Sequence, residues 1–222
     1  GCTGTDRAAT NPGIFLDEKA DTLYQIPFQK ADEQWLSPIE NAKIGKAHIS
    51  KNKIIQEPRD FKEMNYLPLT EIHEMMRRLI FPESVSSTLR FDLNEKDRQQ
   101  LIHYLTIPPR LGNIQNYQTK EYPDNLKKYL IYGDGPKVIS SDSIQITNIV
   151  GQSYGFLADC AYICDKKKDI EFILSAVIYV NENEVINDGI YEYKTVGLPF
   201  LGELGRYFYQ FEKSRKAKTL PY

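Results

Sequence analysis

The stretch Gly151-Gln152-Ser153-Tyr154-Gly155 spells G-x-S-x-G, and its reading decides the fold around it. A hydrolase nucleophile elbow needs a strand before the serine and a helix after it, so that a strained turn lifts Oγ out at the top of the sheet. The strand is there, because Ile144, Ile146 and Val150 alternate with Gln145 and Thr147. The helix is not. Phe156 to Cys164 is an apolar run with aromatic and β-branched residues, closed by the charged turn Asp165-Lys-Lys-Lys168, which is the pattern of a second strand. The elbow also requires an acid and then a histidine downstream, whereas His48, His73 and His103 all lie upstream. The five residues read as a hairpin turn, with an esterase built on Ser153 as an alternative.

Working outward, three strands are predicted over about 142–150, 155–165 and 170–181. The third, Ile170 to Val180, is apolar on both faces and predicts cover on both sides. A last helix starts at Pro199, with Leu201, Leu204, Phe208 and Phe211 as its packing stripe. Upstream, Ile72, Met75, Met76, Leu79 and Ile80 mark a helix with Thr70 as N-cap and Pro82 as stop. A second helix follows Asn94 and ends before Pro108-Pro109, and a third is predicted over about 122–132, ending at Gly133. Residues 1–68 are loop-rich, punctuated by prolines at 12, 27, 38, 58 and 68, with one hairpin around Ser50-Lys-Asn-Lys53. The expected organisation is a 1–68 segment followed by an α+β body over 69–222, helices first, then a three-strand antiparallel meander and a covering helix.

The chain has 222 residues, enough for a sizeable core, and its 41% hydrophobic and 26% charged content is that of a globular protein. A net charge of −2 argues against a nucleic-acid binder, and no apolar run is long enough to span a membrane. Fifteen tyrosines and ten phenylalanines suit aromatic packing or a substrate groove. Cys160 and Cys164 sit roughly 13 Å apart along one predicted strand, too far for a disulfide. No Cys/His spacing suggests a metal, and no cofactor motif is present. Cys2 after Gly1 fits either a lipoprotein acylation site or a cloning remnant.

Several stretches resemble the serine β-lactamase and penicillin-binding superfamily. Pro58-Arg-Asp60 leading to Leu69–Leu79 is similar to the segment between the Ω-loop and the next helix of class A β-lactamases, and Asp97–Ile102 resembles the helix after it. Asn148-Ile-Val-Gly151, Tyr154-Gly155 and Asp159–Ile163 resemble the K-T-G strand, its turn and the following strand. Gly197-Leu-Pro-Phe-Leu-Gly-Glu-Leu-Gly-Arg206 looks like the serine hydrolases of this type in Bacteroidetes-like bacteria. The resemblance covers roughly 55–215 and implies a β-lactamase/transpeptidase-like α/β sandwich in the periplasm or cell envelope. It further implies a small-molecule or peptidoglycan-like substrate and a partner in the missing N-terminal portion or another copy of the chain.

The family chemistry uses S-x-x-K for the acylated serine and its base, S-x-N or Y-x-N for a proton relay, and K-[ST]-G for a carboxylate-binding cation beside an oxyanion donor. Ser50-Lys-Asn-Lys53 is the sole S-x-x-K and lies in a hairpin; Ser141-Asp-Ser143 and Lys194-Thr-Val-Gly197 match only in part. Glu40, Asn41 and Glu57 lack the spacing of the Ω-loop acid. The nucleophile is therefore expected to lie outside this chain, leaving it inactive alone; a binding or scaffolding module that has dropped catalysis is the non-enzymatic alternative. Aligning Gly151 with the K-T-G glycine puts Ile149 at the lysine and Val150 at the hydroxyl position, and leaves the N–H of Gln152 as an oxyanion donor. Ile149, Val150, Gly151 and Gln152 are thus the predicted cleft wall, with packing of Ile149 beneath a loop as the alternative.

Overall fold

The computed structural model describes residues 9–10, 12–17, 19–30, 40–62, 64, 67–108, 111–112, 125–135 and 143–215. Cys2, Ser141, the start of the third predicted helix and the end of the basic tail lie outside the described residues. The protein is a mixed α+β chain with antiparallel sheets and a C-terminal helix, divided into two compact units.

One unit holds residues 1–67 with 183–189. Its strands are short: β1 (Ala9–Thr10) pairs with β4 (Gln29–Lys30), and β2 (Gly13–Leu16) with β3 (Thr22–Ile26). β5 (Lys43–Ile44) pairs with β8 (Arg59–Asp60), and β6 (Ala47–Ser50) with β7 (Lys53–Ile55). The β6–β7 link is the two-residue turn Lys51-Asn52, both left-handed with φ 49° and 60°, as a tight hairpin demands.

The other unit, 68–182 with 190–222, carries the main core. Helices α1 (Leu69–Ile80) and α2 (Glu95–Thr106) precede a helical turn α3 (Tyr129–Tyr132). Then β9 (Ile144–Ser153), β10 (Phe156–Asp165) and β11 (Ile170–Tyr179) form an antiparallel meander with β10 in the middle. β12 (Val185–Ile186) belongs to the first unit, where it pairs in parallel with β6, and α4 (Leu198–Ser214) ends the described part of the second unit.

The register puts Ile144, Ile146, Leu157, Ala161, Ile163, Ile170 and Ala176 on one sheet face, where Leu201 and Tyr209 of α4 complete the core. The opposite face carries Thr147, Cys160 and Ser175 and meets α1 and α2. β11 is thus met by α1 on one face and α4 on the other, as its two-sided apolarity requires. It remains an edge strand, however, and Val177 is 48% exposed; the strand buried along most of its length is β10.

Three sequence expectations need correction. α1 begins at Leu69 with Pro68 in the cap position, so Thr70 lies inside the helix instead of capping it. Of the described part of the third predicted helix, only Tyr129–Tyr132 forms a helical turn: Leu130 has ψ 112° and Ile131 φ 95°, a left-handed torsion that is costly for a β-branched residue. The α4 stripe holds at Leu201, which is buried, and at Leu204, which packs against the core, but further along the buried line runs through Gly202, Gly205 and Tyr209 and leaves Phe211 48% exposed. The two glycines are the reason. A Cβ on Gly205 would lie 2.5 Å from Ile131 N and 2.9 Å from Leu130 C, so only glycine lets the 129–133 backbone reach α4. Arg206 fixes that backbone by donating to Ile131 O at 2.7 Å and to both oxygens of Asp134.

Candidate functional site

Among the described residues β9 has a strand on one side only. Its turn to β10 is Tyr154-Gly155, left-handed at both positions (φ 53° and 87°), so Ser153 and Phe156 form the closing hydrogen-bonded pair. Backbone groups of alternate residues then point away from β10, those of Ile146, Asn148, Val150 and Gln152 among them. Ile146 O uses this freedom to accept from Lys128 Nζ at 2.8 Å.

Lys128 begins a buried polar chain. Its ammonium also donates to Leu105 O and to Asn148 Oδ1, each at 2.8 Å. With its oxygen committed, Asn148 turns its amide outward, donating to Lys127 O at 2.7 Å and Asp159 Oδ1 at 2.9 Å. Asp159 Oδ2 accepts from Leu130 N at 2.9 Å. Asp159 is wholly buried, and that burial pushes its carboxyl up to about 6 against the pull of the Leu130 N–H, Asn148 and Lys128. Burial pushes the Lys128 ammonium down to about 8, opposed by the charge of Asp159. Every donor thus has an acceptor, which is what a charged group in a low-dielectric interior requires.

In front of this chain lies a pocket of about 300 Å³. Tyr104, Leu105, Ile107, Pro108, Leu126 and Val150 give it apolar walls, and Lys127, Lys128 and Asn148 its polar side. Thr147 fixes the α2 wall. The Thr106 hydroxyl donates to Ile102 O at 2.7 Å, so Thr147 Oγ1, 2.6 Å away, donates to Thr106.

Of the residues expected in the cleft wall, only Val150 lines this pocket. Ile149 is 38% exposed on the α1/α2 face of the sheet, so it is not packed away beneath a loop. Gly151 and Gln152 are regular strand residues opposite Ala158 and Leu157, not a turn. A Cβ on Gly151 would meet only Ala158 Cβ at 3.9 Å, so nothing described there requires glycine. Gln152 Oε1 accepts from Tyr129 at 3.3 Å while its backbone N–H faces outward.

Ser153 ends β9 and is followed by β10, so no helix completes an elbow. Ser50 ends β6 and Lys53 starts β7, a hairpin and not a helix start. Lys194-Thr-Val-Gly197 lies in the π-helical turn before α4, and Ser143 donates to Asp165 at 3.2 Å. His48 Nδ1 lies 2.9 Å from Glu57 O, and His103 packs edge-on against Tyr104. His73 and Ser175 look at first like a base and nucleophile at 2.9 Å. Ser175, however, donates to Cys160 Sγ and Cys160 to Ile72 O, so His73 Nδ1 must be the donor to Ser175. That chain pins α1 to the sheet and leaves no base for the serine.

No protein-family model, curated protein or solved structure matches this chain. Among the described residues no group of three His, Cys, Asp or Glu side chains is arranged to hold a metal, and no helix is long and apolar enough to cross a membrane.

Sequence reading missed Lys128, Asn148 and Asp159 as a unit. Two of them carried a signal. Asn148 and Asp159 are polar interruptions within apolar faces, the one between Ile146 and Val150, the other between Leu157 and Ala161. Lys128 carried none, because one lysine of the Lys127-Lys128 pair cannot be told from the other without the fold.

Proposed function

We propose that the unit carrying β9–β11 is the binding-wall portion of a β-lactamase-like serine hydrolase of the bacterial envelope, with the nucleophile supplied from outside this chain. The observation that carries the reading is the outward-facing edge of β9 beside the pocket. An edge strand with free N–H groups at Val150 and Gln152 can hold an extended acyl substrate by main-chain hydrogen bonds, and the Gln152 N–H is available to an oxyanion. Ile149, which stands where the family lysine is expected, lies on the other face of the sheet and does not line the pocket, so a cation for a substrate carboxylate has to come from elsewhere in the wall.

A non-catalytic binding module of the same fold is the second reading, favoured by one observation: no serine, threonine or cysteine is among the described residues lining the pocket. Incubation with a fluorescent penicillin tests the main reading. No covalent label is expected on the 222-residue chain, and labelling of any serine in it contradicts the proposal.

A further inference from the structure

The pocket beside β9 has a composition that selects its ligand. Six of its lining side chains are apolar or aromatic, two are lysines, one is asparagine, and none of those described is acidic. The two lysines are not equivalent. Lys128 is buried and its three N–H bonds go to Leu105 O, Ile146 O and Asn148 Oδ1, so it contributes fixed positive charge without a free donor. Lys127 is exposed at the rim, and no described acid pairs with its ammonium. Its backbone is left-handed at φ 65°, a conformation that few non-glycine residues adopt. The Asn148 amide holds it there by donating to Lys127 O. One asparagine thus anchors Lys128 with its oxygen and the Lys127 backbone with its nitrogen, which fixes the point at the pocket rim from which the Lys127 side chain projects. Strained backbone maintained by a dedicated side-chain hydrogen bond is a mark of positioned groups.

We propose that this pocket binds a small amphipathic carboxylate, its apolar body between Tyr104, Pro108 and Val150 and its anionic end on Lys127 Nζ. The inference deepens the wall reading by naming a ligand class for the same pocket, and rests on that reading only for the pocket's role as a ligand site. The buried Asp159 does not oppose the anion, because Lys128 and Asn148 stand between it and the pocket. Lys127 is then the one uncompensated charge among the described lining residues.

Titration of the full chain with 4-phenylbutyrate and with its uncharged amide, 4-phenylbutanamide, tests the proposal by calorimetry or ligand-detected NMR. The acid is expected to bind at least about tenfold more tightly than the amide, the scale of one charge-assisted hydrogen bond. Lys127→Gln should abolish that preference while leaving amide affinity unchanged, and Lys127→Arg should retain it. Rising salt should weaken the acid alone. Val150→Trp should eliminate both by filling the pocket. Equal affinity for acid and amide in the unmodified protein, a preference that survives Lys127→Gln, or no binding of either compound overturns the proposal. None of these readouts requires acyl chemistry, so the penicillin-labelling experiment can fail or succeed independently.

Discussion

Asp159 offers a quantitative test of the buried chain. Its carboxyl is held at about 6 in the folded protein against an ordinary value of 3.8, with burial as the main cause. The difference is about 2 pH units, or about 3 kcal/mol at roughly 1.4 kcal/mol per unit. Because the folded state holds this proton more tightly than the unfolded one, the contribution is fully present below about pH 4 and is lost as pH rises through about 6. Asp159→Asn removes the titration. It also leaves one acceptor oxygen where two are used, so an N–H of the new amide faces either Asn148 Nδ2 or Leu130 N, and the variant carries a pH-independent loss of about 1–3 kcal/mol for an unmet buried donor. Urea unfolding followed by far-ultraviolet circular dichroism at intervals between pH 3.5 and 7.5 separates the two effects. The stability of the unmodified protein relative to Asp159→Asn should fall by about 3 kcal/mol across that range. A difference constant with pH, or one that grows as pH rises, would refute the reasoning; the latter would mean that attraction to Lys128 outweighs burial.

Two further substitutions probe how the site is positioned. Gly205→Ala should destabilise the fold by about 1–3 kcal/mol or more, because the added methyl meets the backbone of Ile131 and Leu130 and no flexible side chain can yield; thermal unfolding checks it, and an unchanged midpoint contradicts the close approach of α4. Thr147→Val deletes the hydroxyl that ties β9 to Thr106 of α2 and should cost about 1 kcal/mol with faster amide exchange at the end of α2, whereas unchanged exchange there would remove Thr147 from the pocket's framework.

Much of the scaffold was readable because its signals are local. Period-two alternation located β9, apolar runs bounded by charged or turn residues located β10 and β11, and Tyr154-Gly155 forms the turn between the first two, left-handed at both positions. Asn94 caps α2 by accepting from Asp97 N, as its place before the helix implied. What was not readable depends on contacts between distant segments. The α4 face is chosen by Gly202 and Gly205 meeting residues 130–133, so hydrophobicity alone pointed to Phe208 and Phe211. The segment ending at Gly133 has helical spacing, yet hydrogen bonds from Leu130 N to Asp159 and from Arg206 to Ile131 O hold it out of helical torsions. For the candidate site, the sequence indicated β9 but directed attention to Ile149 and Gly151. The strand's other parity, Asn148 and Val150, meets the pocket, together with a lysine more than a dozen residues upstream.

The central claim is that this chain supplies a ligand-binding wall at the β9 edge and no nucleophile. Its most direct test is titration of the isotopically labelled protein with benzylpenicillin, reading amide shifts and intact mass on one sample. The expected result is an unchanged mass with shifts concentrated at Lys127, Asn148, Val150 and Gln152. A penicilloyl adduct on any serine, or shifts confined to residues 43–60 with the β9 edge silent, would contradict it.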